Sequence, residues 1–118
     1  MRMVLAAVVA MTTSAATAGE VEDAHRLAIS GRDSYWNCLA REYGNDSNKS
    51  MSGEDFTRQI ASVCPSERQN FRVTLVDYLS LQFPKADAGE HMTTVNNAIA
   101  LAQKDVVTTF TRRRGAPK

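Results

Sequence analysis

The stretch DSYWNCLAREYGN, residues 33–45, concentrates the residues most able to fix how a helix packs. It contains the only tryptophan, Trp36, two of the three tyrosines, and Cys38, one of two cysteines. At about 100° per residue, Trp36 and Cys38 lie roughly 160° apart around a helix, so they cannot face the same neighbour. We interpret Cys38 as a covalent tie on one face and Trp36 as an aromatic anchor on another.

The second cysteine, Cys64, lies 26 positions after Cys38, at the end of a different predicted helix that stops at residue 63. Two cysteines in an exported chain predict one intramolecular disulfide. A thiol/disulfide redox role for the pair is the alternative, but redox pairs usually show C-x-x-C spacing. A zinc site needs about four closely spaced Cys or His ligands. We therefore expect a structural Cys38–Cys64 disulfide and no metal site.

Residues 1–18 have the pattern of a secretory leader. Arg2 supplies a positive charge, residues 3–11 (MVLAAVVAM) are apolar, and Ala16 and Ala18 form an A-x-A cleavage site. The apolar run is about half of the roughly 20 residues that a membrane-spanning helix needs. We expect cleavage after Ala18 and export to the periplasm or the medium, leaving a helical domain at residues 19–111 and a basic tail at 112–118.

Charge separates the body of the chain from this tail. Of 118 residues, 14 are Lys or Arg and 13 are Asp or Glu, and removal of Arg2 with the leader leaves 13 against 13. Arg112, Arg113 and Arg114 cluster near the end. At a helix C-terminus they interact favourably with the backbone dipole, and the alternative is weak contact with an anionic membrane. Nucleic acid is not an expected partner of an exported protein.

Helix starts and breaks divide the chain into four segments. Ser52, Ser66 and Asp87 each precede an Asp, Gln or Glu by three residues, a pattern typical of helix N-termini. Glycine and proline residues separate the segments. We predict an all-α fold, a small four-helix bundle, possibly of three long helices and one short helix, held by one disulfide. The predicted helices are residues 20–43, 53–63, 67–83 and 88–111.

Apolar residues mark the faces that these helices should bury. In the fourth helix they recur at three- and four-residue steps, which predicts a packing seam: Met92, Val95, Ile99, Ala102, Val106 and Phe110. The first helix is apolar around more than half of its circumference. It is either packed between several neighbours or offers the edge formed by Ile29, Trp36 and Tyr43 to a partner, since exposed aromatic patches mark interaction sites.

Charged residues interrupt two of these apolar faces. Arg32 and Glu42 lie within the apolar arc of the first helix, and Arg68 and Arg72 flank that of the third. Buried charges must be paired or bind something. Two interpretations are open. In the first, these residues form an internal ion pair or extend their side chains so that the charged ends reach solvent. In the second, they line a pocket for an anion or small ligand.

The two histidines, and two of the six asparagines, lead to expectations about helix ends and glycosylation. In an up-down-up-down bundle, His25 and His91 begin antiparallel helices, so we expect both to be solvated and at opposite ends. Asn45 and Asn48 match the N-x-S glycosylation pattern.

No motif of an enzyme or cofactor site is found. The chain has no G-x-S-x-G elbow, no phosphate-binding glycine loop and no C-x-x-C-H haem attachment. We therefore predict no catalytic residues and no cofactor, and a non-catalytic module that binds an envelope protein or a small ligand. The alternatives are a redox protein or small enzyme using Cys38 and Cys64, and a membrane-surface protein held by the basic tail.

Overall fold

Four α-helices make up most of residues 17–115, the part of the chain that the computed structural model describes. They are α1 (Ala18–Ala40), α2 (Gly53–Ser62), α3 (Pro65–Gln82) and α4 (Ala88–Gly115). Two short 3-10 helices, Arg41–Gly44 and Asp46–Asn48, join α1 to α2. The predicted all-α bundle is confirmed. Residues 1–16 of the proposed leader (1–18) and the last tail residues, 116–118, lie outside the described residues.

Side-chain caps begin α2 and α4 where the sequence pattern places them. The Ser52 hydroxyl accepts a hydrogen bond from the Asp55 backbone N–H at 3.1 Å, and the Asp87 carboxylate accepts one from the Glu90 N–H at 2.8 Å. Each cap satisfies one of the backbone donors that a helix N-terminus leaves without an intrahelical partner. Both predicted starts are confirmed.

The chain breaks sharply between α2 and α3 at Cys64. Its backbone has φ 57° and ψ 47°, the left-handed conformation that few non-glycine residues adopt. Pro65 then occupies the first turn of α3, where its missing N–H costs nothing. The start predicted at Ser66 is therefore wrong by two residues, and the N-cap position is held by Cys64 without a side-chain cap.

Helices α2 and α3 run in the same direction, and both are antiparallel to α4. Phe56 near the start of α2 stacks on Phe110 near the end of α4, with ring centroids 3.7 Å apart. In α3, the Arg72 guanidinium donates to the Asn96 side-chain oxygen at 2.7 Å. Asn96 lies much nearer the start of α4 than Phe110 does. Together α2 and α3 form one long antiparallel partner of α4, broken at Cys64.

Helix α1 is antiparallel to α3 and therefore parallel to α4. His25 near the start of α1 packs on Tyr78 near the end of α3, with ring centroids 4.8 Å apart. Where α1 meets α4, the Gln103 side-chain amide donates to the Tyr35 hydroxyl at 3.0 Å. The up-down-up-down order is thus wrong, because the second and third helices do not reverse direction.

This topology changes the expectation for the histidines. Since α1 and α4 are parallel, His25 and His91 begin their helices at the same end of the bundle. His91 is buried, whereas His25 is exposed. The expected opposite ends, and a solvated His91, are both wrong.

The core lies along one face of α4 and the faces of the helices that contact it. The predicted seam of α4 is confirmed for five of its six residues, and the sixth, Met92, is 38% exposed. The buried cluster contains Tyr35, Leu39, Phe56, Ile60, Phe71, Leu79, Val95, Ile99, Ala102, Val106 and Phe110.

The predicted disulfide is present and joins α1 to the start of α3. The Cys38 and Cys64 sulfurs are 2.05 Å apart, and their Cα atoms are 6.2 Å apart. The predicted second helix ends at residue 63, directly before Cys64. In the structure Cys64 is the N-cap residue of α3, within the break that follows Ser62, so the bond fixes the junction of α2 and α3 against α1.

Helices α1 and α3 approach each other closely at Gly31. A Cβ at this position would lie 2.7 Å from the Thr74 hydroxyl oxygen and 3.1 Å from the Phe71 Cα. Backbone cannot yield as a flexible side chain can, so glycine is required here by the helix spacing rather than by its φ angle.

We expect Gly31→Ala to lower the free energy of unfolding by about 1–3 kcal/mol, the usual cost of overpacking. Thermal and urea unfolding followed by circular dichroism would measure it. Gly44→Ala is the matched control, because a Cβ there meets nothing within 4 Å. Equal stability of the two variants would contradict the close α1–α3 packing.

We expect the Cys38→Ser/Cys64→Ser variant to lose about 3.5 kcal/mol of unfolding free energy, because the bond closes a loop of 26 residues. Urea denaturation would measure the loss, and the reduced, alkylated native chain should reproduce it. A bond that millimolar glutathione reduces readily would instead favour the redox alternative.

Candidate functional site

An open groove lies between α1, α3 and α4, with a volume of about 620 Å³. We call it the aromatic groove. All three helices contribute to its lining: His25, Ala28, Ile29, Arg32, Asp33 and Trp36 from α1; Phe71, Leu75 and Tyr78 from α3; Ala98, Leu101, Ala102 and Asp105 from α4.

The depth of the aromatic groove is apolar. Ala28, Phe71 and Ala102 are buried and form its floor. Trp36 and Tyr78 are partly buried and place aromatic rings on the α1 and α3 sides. Such a lining can remove an apolar group from water without leaving polar atoms unpaired.

The α4 side of the aromatic groove presents an aliphatic side chain to solvent. Leu101 is 58% exposed, one of the largest exposed fractions among the large apolar residues of the described chain. An exposed leucine alone is ordinary. Beside a concave aromatic surface, it enlarges the apolar area that an occupant could cover.

The charged residues of the aromatic groove are exposed and lie at its rim. Arg32 and Asp33 form an ion pair at 3.2 Å, with side chains 56% and 58% exposed. None of the ion pairs found within residues 17–115 includes Asp105. With histidine counted as neutral, one arginine against two aspartates gives the rim a net charge of −1.

Only two of the three residues of the predicted partner edge, Ile29, Trp36 and Tyr43, lie together in the structure. Ile29 and Trp36 lie together in the aromatic groove. Tyr43 does not, because α1 ends at Ala40 and Tyr43 belongs to the following 3-10 helix. There it packs against the core, and the Arg113 guanidinium lies 4.9 Å from its ring centroid. Its hydroxyl is buried without a hydrogen-bond partner among the described residues.

Glu42 does not meet Arg32. Its carboxylate accepts hydrogen bonds from the side-chain amides of Asn48 at 2.7 Å and Gln59 at 3.1 Å. The Gln59 amide also donates to the Asn48 side-chain oxygen at 2.8 Å. Two neutral amides therefore satisfy the partly buried carboxylate and tie the α1–α2 connection to α2.

The two arginines of α3 also have separate partners. Arg68 donates to the Ala61 carbonyl oxygen at 2.7 Å, across the break between α2 and α3, and Arg72 donates to Asn96 on α4. The structure thus does not bring Arg32, Glu42, Arg68 and Arg72 together into one anion or ion-pair site. Each of these four residues has its own partner elsewhere in the fold.

The two asparagines of the N-x-S pattern differ in accessibility. Asn48 is fully buried, and its amide nitrogen also donates to the Glu42 carbonyl oxygen. Asn45 is exposed, and its side-chain oxygen accepts from the Ser47 backbone N–H. On the same turn, the hydrogen bond and positive charge of Lys49 lower the pKa of the exposed Asp46 carboxyl.

The basic segment begins as helix. Helix α4 extends to Gly115, beyond the end predicted at Thr111, so Arg112, Arg113 and Arg114 belong to its last turns. This fits the interpretation of cations near a helix C-terminus. Contact with an anionic membrane through these residues stays a prediction. Within residues 17–115, no helix has the length and apolar character needed to cross a bilayer.

The disulfide is not part of the aromatic groove. The ligand atoms of Cys38, Cys64 and Glu67 lie within 4.8 Å of one another, but both sulfurs are engaged in the disulfide. The described residues include no free cysteine. In this oxidised form the cluster has no thiolate to offer to a metal or a substrate.

A second groove lies between α1 and α3, with a volume of about 480 Å³. It has three carboxylates and no aromatic ring, and we call it the acidic groove. Its lining residues are Glu20, Asp23, Ala24, Leu27, Thr74, Asp77, Ser80 and Leu81.

The sequence pattern missed much of the aromatic groove. Tyr78 lies among the apolar residues of the third helix, and only the gap between α1 and α4 makes it part of a groove wall. Ala98, Leu101 and Asp105 were assigned no role. Their three- and four-residue spacing beside the α4 seam is the signal that could have indicated a second surface.

Comparisons with known proteins identify no relative of this chain. No protein-family model, no curated protein and no solved structure matches this chain. A function must therefore be argued from the groove itself.

Proposed function

We propose that this protein is a non-catalytic binding module of the cell envelope that takes an apolar ligand or partner segment into the aromatic groove. The main support for this proposal is the groove itself, which has a volume of about 620 Å³ and lies between three helices. Its floor is apolar, and its charged residues lie at the rim. Small-molecule sites typically occupy about 300–1,000 Å³, with mainly apolar linings and a few polar groups. Between helices of a bundle is a common place for them.

Binding explains the polar groups of the aromatic groove better than catalysis does. The Arg32–Asp33 pair is solvated, so its mutual attraction supplies little driving force. His25 packs its ring on Tyr78, while nucleophilic catalysis needs a base held beside a nucleophile. These groups can orient a ligand without reacting with it.

Two features support an extracytoplasmic location for this module. A disulfide persists in oxidising compartments and is rare in the cytosol. The leader pattern of residues 1–18 offers a route to such a compartment. Export to the periplasm or the medium is therefore part of the proposal.

We expect the neutral apolar dye N-phenyl-1-naphthylamine to bind saturably and to quench the fluorescence of Trp36. Because Trp36 is the only tryptophan and lines the aromatic groove, its emission reports occupancy of this site. Leu101→Ser should weaken binding about fivefold through lost apolar contact. Fluorescence titration would measure both dissociation constants.

Val73→Ser is the matched control for this titration. Val73 is also an exposed aliphatic residue, 48% exposed, and it does not line the aromatic groove. Its substitution should leave dye binding unchanged. Equal weakening by both substitutions, or quenching that never saturates, would contradict binding in this groove.

We expect the full chain, expressed in a bacterium with a general secretory pathway, to be recovered outside the cytoplasm beginning at Gly19. Intact-mass spectrometry would show the loss of residues 1–18 and of the two hydrogens released on disulfide formation. A cytoplasmic protein retaining Met1 and two free thiols would contradict export.

A further inference from the structure

We propose that the aromatic groove selects ligands that join an apolar body to one cationic amine. This inference rests on the proposed function, because it names the chemistry of the occupant of that same site. It combines three observations: an apolar floor, aromatic walls and a rim with an excess of negative charge.

The charge of the rim favours a cation. Asp33 is paired with Arg32, so its carboxylate is largely compensated. Asp105, on the opposite helix, takes part in no ion pair among the described residues. An ammonium group placed at the rim would gain this partner, whereas a carboxylate there would be repelled by it.

The aromatic walls favour the same charge. Trp36 and Tyr78 contribute rings from α1 and α3. The face of an aromatic ring attracts cations, most strongly for tryptophan. An amine held at the rim beside these rings is therefore attracted by them as well as by the Asp105 carboxylate.

The position of the charges determines how such a ligand would lie. Asp33 and Asp105 are exposed, while Phe71 and Ala102 at the floor are 3% and 6% exposed. A charged group is costly to bury without a partner, but at the rim it stays hydrated. The apolar body would thus cover the floor, with the amine directed outward between the carboxylates.

The acidic groove separates this proposal from general charge attraction. It has three carboxylates, Glu20, Asp23 and Asp77, but no ring. If negative charge alone attracted the ligand, a cation would prefer that groove. If the apolar floor and the rings are also required, it would bind at the aromatic groove and quench or shift the emission of Trp36.

The test compares three ligands that share one body: 4-phenylbutylamine, 4-phenyl-1-butanol and 4-phenylbutyrate. At pH 7 they carry a positive charge, no charge and a negative charge. Titrations of the mature, oxidised protein would follow Trp36 fluorescence, with calorimetry as a second readout. We expect the amine to bind about fivefold more tightly than the alcohol, and the carboxylate to bind most weakly.

Two charge-neutralising variants locate the effect. Asp105→Asn should lower the amine-to-alcohol affinity ratio from about five to about two, because the rings still attract the amine, while leaving the affinity for the alcohol unchanged. Asp77→Asn is the matched control, because it removes the same charge from the acidic groove. Both residues are exposed on helices, and circular dichroism would confirm that both variants fold.

Each failure has its own meaning. Equal binding of amine and alcohol, or preference for the carboxylate, would overturn the cation inference and leave the binding function intact. Loss of preference in Asp77→Asn rather than Asp105→Asn would overturn the assignment to the aromatic groove. If neither the three ligands nor the naphthylamine dye binds, the proposed function fails together with this inference.

Discussion

The close contact between α1 and α3 sets the spacing of the other helices. The Cys38–Cys64 bond fixes it at one end, and the His25–Tyr78 ring contact lies near the other. Between them, Gly31 lets the two backbones approach. With α1 drawn onto α3 along this length, α1 and α4 are left apart on one side, and the aromatic groove is the space between them.

Cys64 links the covalent and conformational parts of this arrangement. Its left-handed backbone ends α2 and lets α3 begin at Pro65 without reversing the chain. Its sulfur ties this junction to α1. Helices α2 and α3 can therefore act as one long partner of α4, and the hydrogen bond from Arg68 to the Ala61 carbonyl oxygen spans the break between them. A bundle of four helices thus has the layout of three.

The candidate site shows where helical periodicity is informative. Ile29, Arg32 and Trp36 lie on one side of α1, and all three line the aromatic groove. A helix continued to Tyr43 would place this residue on the same face, but α1 ends at Ala40 and Tyr43 lies outside the groove. Projection around a helix predicts shared faces only while the helix continues. It also cannot identify the residues of α3 and α4 that complete the groove, since these depend on helix spacing.

The four helices and the disulfide could be predicted from the residues alone, because caps, prolines and apolar spacing act locally and two cysteines can pair with each other in only one way. Only the folded chain shows the direction of α3, the parallel course of α1 and α4, and the partners of the buried polar groups. These follow from one backbone conformation at Cys64 and from the packing of α2 on α4. Glu42 illustrates the difference: its position in an apolar arc called for a partner, but only the folded α1–α2 connection brings Asn48 and Gln59 to it.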